Sequence, residues 1–157
     1  MFAMFFFLAT AIDDPCALLS RTDIRNVFAW NVGAGVRKDY RLPAAGAYGS
    51  LCTYDSRDGS VVVTIGHGGA GLPNNDATNG LAPIREGDSI KGLGLPTDIG
   101  PSQAVVHYRS HDYGISVQFT DANFADASDL RKLARAMIRR LRPTKPVDAV
   151  RHGRAGS

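Results

Sequence analysis

The spacing of apolar residues changes several times along the chain, and each change marks an element. Asp14-Pro15 sets an N-cap side chain before a proline at the first helical position, predicting a short helix through Leu19. Ser20 caps a second helix, with Asp23 near its positive end and Ile24, Val27 and Phe28 on one face; Gly33 and Gly35 end it. Between Ser50 and Ile65 the pattern is extended. There SLCTYD and SVVVTI flank Asp58-Gly59, the strongest local hairpin signal in the chain. A second hairpin is predicted from AVVHYRS and ISVQF, with its turn at His111–Gly114. In it Ile115, Val117 and Phe119 alternate with Ser116, Gln118 and Thr120, giving one buried and one wet face. Finally, Leu130, Leu133, Ala134, Met137, Ile138 and Leu141 form the apolar stripe of a helix over Ala127–Arg142, which Pro143 ends.

These elements predict an α+β fold. An antiparallel sheet of about four to five strands, built from two hairpins, carries short N-terminal helices and one long amphipathic C-terminal helix packed on one face. A chain of 157 residues suffices for one domain with a real core, expected over residues 12–142. Residues 66–104 read as a long Gly, Pro and Asn-rich connection, with a short strand near Asp88–Leu93. Connections of this length inside a compact domain are often functional, so His67, Asn74, Asn75 and Asp76 are candidate ligand contacts.

One motif in this region is misleading. Gly66, Gly68 and Gly71 have the G-x-G-x-x-G spacing of a dinucleotide-binding turn, and Glu86 or Asp88 lies at the distance where the ribose-binding acid is expected. The motif works only when a helix follows, because the helix N-terminus receives the pyrophosphate. Here Leu72-Pro73-Asn74-Asn75-Asp76 follows, and the preceding strand is the second arm of a hairpin rather than the first strand of a βαβ unit. No nucleotide or other cofactor is expected.

Charge is unevenly spread. Residues 1–130 carry a net −5 and residues 131–157 a net +8. Arg131, Lys132, Arg135, Arg139, Arg140 and Arg142 make the last helix a candidate polyanion-binding face, and residues 143–157 read as a flexible basic tail. Part of that basicity complements the negative end of the helix dipole. No groove-reading motif or aromatic stacking platform accompanies it, which argues against nucleic acid, while peripheral contact with anionic lipid stays open.

The start, MFAMFFFLATA, is an apolar run ending in the small-x-small form of a signal-peptidase site. It lacks a basic n-region, so residues 1–11 are expected to be a truncated export signal, with a Phe-rich buried strand as the alternative. In an exported chain, Cys16 and Cys52 favour a structural disulfide over metal or redox chemistry. The competing reading is a catalytic thiol at Cys16 near a helix start, but no base is identifiable for it. His107 and His111 have a metal-like separation but flank a turn and lack a third ligand, so surface histidines are expected. Nothing in the sequence brings Asp112, His107, His111 and Glu86 into one site, and no enzyme is expected.

Asp14-Pro15-Cys16-Ala17-Leu18-Leu19-Ser20, then Cys52-Thr53-Tyr54 opening a hairpin, then Gly92-Leu93-Gly94, a second hairpin and an amphipathic helix follow one another in a distinctive order. This order resembles an exported bacterial family of unknown function, typified by actinobacterial cell-envelope lipoproteins, with a D-P-C-x-L-L start and a second cysteine in a C-x-W/Y strand. The resemblance spans residues 13–142 and implies an α+β envelope domain with its cysteines paired and no known catalytic residues. Unlike the lipoprotein members, this chain has no lipidated cysteine before the domain, so membrane anchoring is not implied. The expectation is a non-enzymatic periplasmic or cell-envelope domain that binds a small ligand or an envelope protein through the 66–104 segment or the outer sheet face. The alternative is a polyanion-binding module.

Overall fold

A computed structural model of the chain describes residues 13–42, 47–67, 93–109, 111–121, 123 and 125–142, with 42, 47, 48 and 67 through their backbone only. A 3-10 turn, Pro15–Ala17, leads into helix α1, Arg21–Phe28. Strands β1 (Val36–Leu42), β2 (Ala47–Asp55), β3 (Gly59–His67), β4 (Thr97–Gly100), β5 (Gln103–Tyr108) and β6 (His111–Phe119) follow, then helix α2, Ala127–Leu141. The six strands form one antiparallel sheet in the order β1-β2-β3-β6-β5-β4. Both expected hairpins are present, joined through β3 and β6. The expected four to five strands become six because each hairpin carries an additional edge strand.

Local chemistry explains the boundaries. Asp14 caps the 3-10 turn, its carboxylate accepting from the Cys16 N–H at 3.0 Å, and proline occupies the first position. Ser20 and Asp23 form a reciprocal capping box at the start of α1. This helix ends at Ala29, which takes the left-handed conformation with φ 58, before either glycine is reached. The β2–β3 turn is closed by the Ser56 hydroxyl, which accepts from the N–H groups of Asp58 and Gly59 at 3.1 Å. The second hairpin turns earlier than expected. Arg109, with φ 58, sits in the turn, and β6 already begins at His111, so Gly114 lies within the strand.

The 66–104 connection is likewise shorter than expected. Strand β3 runs through His67, Thr97–Gly100 forms β4, and β5 starts at Gln103. Leu93 lies in a bend rather than a strand. The remainder of the expected 88–93 strand, Asn74, Asn75, Asp76, Glu86, the 1–11 segment and the 143–157 tail lie outside the described residues.

Alternation along the strands decides which residues form the core. Cys52 and Tyr54 on β2, Val61, Val63 and Ile65 on β3, Tyr113, Ile115 and Val117 on β6, and Ala104 and Val106 on β5 share one face and are buried. Helix α2 covers the β4–β6 half of that face, the 3-10 turn covers β1–β3, and α1 lies beside α2. The helices and the link between the 3-10 turn and α1 contribute Leu18, Leu19, Ile24, Leu130, Leu133 and Met137, all at most 1% exposed.

Two devices fasten the helical layer, one to the sheet and one within itself. Cys16 and Cys52 form a disulfide that fastens the 3-10 turn to β2. Beside it the Tyr54 hydroxyl lies 2.6 Å from the Leu19 carbonyl and 2.9 Å from that of Cys16. Arg140 on α2 pairs with Asp23 at 2.7 Å, and its guanidinium also donates to the carbonyls of Leu18 and Ala136. Among the described residues, no helix is long and apolar enough to cross a membrane.

Candidate functional site

Strand β1 carries the most concentrated chemistry on the helix-bearing side of the sheet. Its register sets Arg37 opposite Cys52 and Asp39 opposite Ser50, so Arg37, Asp39 and Arg41 point toward the face that carries the 3-10 turn. The turn covers only the near end of this edge. Beyond it lies a cleft of about 540 Å³ lined by Asp13, Arg37, Asp39, Tyr40, Arg41, Gly49, Ser50 and Ile65. That volume falls within the range of small-molecule sites.

The groups around this cleft differ in how far they are already engaged. Arg37 lies 3.3 Å from Asp39 and 3.9 Å from Asp14, so it serves partly as a strut. Arg41 is exposed, and neither it nor Asp13 makes an ion pair among the described residues. Ser50 is only 7% exposed, and its hydroxyl makes no hydrogen bond among the described residues. A hydroxyl in a cleft wall that has no partner among the described residues can donate to or accept from a bound molecule. Behind the cleft, burial raises the Tyr113 pKa and the nearby Asp13 carboxylate raises it further, keeping the phenol protonated. Formal charge balances across Asp13, Arg37, Asp39 and Arg41, so the cleft offers both an anion seat and a cation seat.

A second constellation lies on the opposite face. His107 on β5 sits between two carboxylates, Asp112 on β6 at 2.7 Å from Nδ1 and Asp98 on β4 at 2.8 Å from Nε2. Burial pushes the imidazole pKa down, but the hydrogen bonds and charges of Asp98 and Asp112 outweigh it, leaving the value above the ordinary 6.5. With both ring nitrogens donating, the imidazolium clamps three strands together and has no free nitrogen to act as a base. In the same row of the sheet, Gly49 and Gly66 lie between Tyr40 and Asp112. A Cβ on Gly49 would overlap the Tyr40 ring and the Ile65 carbonyl, so glycine there lets the tyrosine lie across the strand. Burial and then Asp112 raise the Tyr40 pKa. Two residues along β3 on the same face, the buried Thr64 hydroxyl has no partner among the described residues.

The structure therefore joins His107 and Asp112, which sequence spacing left apart. The two histidines of the i,i+4 pair diverge: His107 faces this second side, while His111 stacks on core-facing Tyr113. Cys16 is committed to the disulfide, which removes the catalytic-thiol reading. Among the proposed polyanion contacts, Arg140 is consumed by Asp23 and Lys132 pairs with Asp129 at 3.0 Å. Arg142 donates to the Gly94 carbonyl, whereas Arg131, Arg135 and Arg139 are exposed. His67 of the proposed ligand loop lies at the end of β3.

No protein-family model, curated protein or solved structure matches this chain.

Proposed function

We propose that the protein is an exported, disulfide-stapled α+β binding domain of the cell envelope or periplasm. Its ligand seat is the cleft beside β1, and its ligand is a small zwitterion such as an amino acid or short peptide. The observation that carries this reading is a cleft whose wall holds Ser50, 7% exposed, and whose rim presents Arg41 and Asp13, none of the three side chains having a hydrogen-bond or ion-pair partner among the described residues. Arg41 would take a carboxylate, Asp13 an ammonium group, and Ser50 a hydrogen bond between them. Export is supported by the signal-like start and by the disulfide, which persists in oxidising compartments. A non-catalytic role is supported by the full engagement of both nitrogens of His107.

Isothermal titration against a panel of free amino acids and dipeptides tests the ligand. Arg41→Gln and Asp13→Asn should each weaken binding by about 10- to 100-fold, the worth of a charge-assisted hydrogen bond, with Ser50→Ala costing less. Absence of binding across the panel, or binding indifferent to both charge variants, would refute the reading. Compartment is tested separately, by the mass of the protein from its own cells alkylated with and without prior reduction. Cysteines that alkylate without reduction would exclude export.

A further inference from the structure

Helix α2 has a second side that the core does not use. From Arg131 to Arg142 every exposed position is a cation: Arg131, Lys132, Arg135, Arg139 and Arg142. No acidic residue occurs in this stretch, because Asp126 and Asp129 are confined to the start of the helix. Arg131, Arg135 and Arg139 follow one another at four-residue spacing, so they form a straight ridge along one face, about 6 Å apart along the axis. None of the three makes an ion pair among the described residues. Three like charges held this close repel one another, and an intramolecular carboxylate or an external anion would relieve that cost. Among the described residues no carboxylate does so, although two other cations of α2 are paired, Lys132 with Asp129 and Arg140 with Asp23 of α1.

The chemistry of the ridge narrows the kind of anion. No exposed apolar or aromatic side chain interrupts it. It therefore has no anchor for a protein hot spot and no platform on which a base could stack. It also lacks the amide side chains that read base edges. A straight row of guanidinium groups facing away from the sheet matches a flat, delocalised anionic surface. Each such cation attracts an anionic bilayer without needing a shaped pocket.

We propose that the Arg131–Arg135–Arg139 ridge, flanked by Lys132 and Arg142, docks the domain peripherally on an anionic lipid surface. The β1 cleft lies on the same face of the sheet but at the opposite edge from the β4–β6 half that α2 covers, so the two sites use different elements. The two readings stand independently.

Co-sedimentation of the full chain with phosphatidylcholine vesicles, with and without phosphatidylglycerol, tests this. Binding is expected only when the anionic lipid is present, and should fall steeply with added salt. The variant R131Q/R135Q/R139Q should partition about a hundredfold more weakly, since each neutralised cation costs about fivefold. R131K/R135K/R139K should retain binding, which separates lost charge from lost fold. The equal-charge control K38Q/R57Q/R109Q, with its cations on β1 and in two turns rather than on the α2 ridge, should change partitioning by no more than about threefold.

Equal losses in the ridge variant and the control would reduce the effect to net charge and overturn the proposal. So would wild-type protein that ignores phosphatidylglycerol, or that binds an oligonucleotide duplex more tightly than the vesicles at the same salt. Loss of binding in K145Q/R151Q/R154Q with full retention in the ridge variant would move the contact to the tail and overturn it as well.

Discussion

Replacing Cys16 and Cys52 together by alanine removes the covalent tie between the 3-10 turn and β2 without leaving a reactive thiol. The bond spans 36 residues, for which the chain-entropy relation gives about 13 cal/mol/K, or about 4 kcal/mol at 25 °C. Cys52 is fully buried, so truncating its side chain adds a small cavity cost of about 1 kcal/mol. Against this, the Tyr54 hydroxyl holds the same turn through the Leu19 and Cys16 carbonyls, which preserves its position once the disulfide is gone. The expected outcome is a folded protein that has lost about 4 to 5 kcal/mol in urea unfolding, equivalent to a melting temperature lower by about 10 °C or more. Tyr54→Phe in the oxidised protein should cost only about 1 kcal/mol. In the cysteine-free background it should cost clearly more, because the hydroxyl is then the main tie. A loss below about 1 kcal/mol for the double alanine variant, or strictly additive effects of the two changes, would refute the view that these ties share one load.

Three further outcomes are expected. Thr64→Val removes a buried hydroxyl that has no partner among the described residues and should raise stability by about 1 kcal/mol in urea titration; destabilisation would mean that the hydroxyl has a partner. Arg140→Met breaks the pair with Asp23 and two carbonyl contacts and should cost about 1 to 3 kcal/mol, whereas exposed Arg131→Gln should stay within about 0.5; similar thermal melts for the two would refute the distinction. Because His107 has a raised pKa when folded, its stabilising contribution is complete below the unfolded value of 6.5 and is lost as pH rises through the folded value. The stability difference between wild type and His107→Gln should therefore shrink as pH rises above 6.5, and a flat or growing difference would exclude the imidazolium clamp.

The central hairpins were legible because Val61, Val63, Ile65, Ile115 and Val117 belong to strands flanked on both sides, where one face is core and alternation is strong. Both missed strands are edges. In VRKDYRL the helix-facing positions are Arg37, Asp39 and Arg41, which point into a polar cleft and erase the apolar period that would have revealed β1. Strand β4 has four residues and sits in a Gly and Pro-rich run. The His107 cluster depends on register. Once the turn is placed at Arg109 rather than Gly114, His107 and Asp112 become direct partners, but Asp98 comes from a strand that has no sequence signal. The α2 stripe is legible because a helix packed on one face buries positions at helical spacing, as at Leu130, Leu133 and Met137.

The polar character of β1 bears on how the protein behaves at high concentration. An edge strand offers a row of free N–H and C=O groups to any other chain, and long apolar edges recruit copies of themselves into extended aggregates. Here Arg37, Lys38, Asp39 and Arg41 would have to be desolvated and set against a like row, and the opposite edge is only four residues long. The six-stranded sheet can thus keep its two open edges in concentrated solution without templating fibrils, and a Lys38→Val, Arg41→Val variant should be the first to form them.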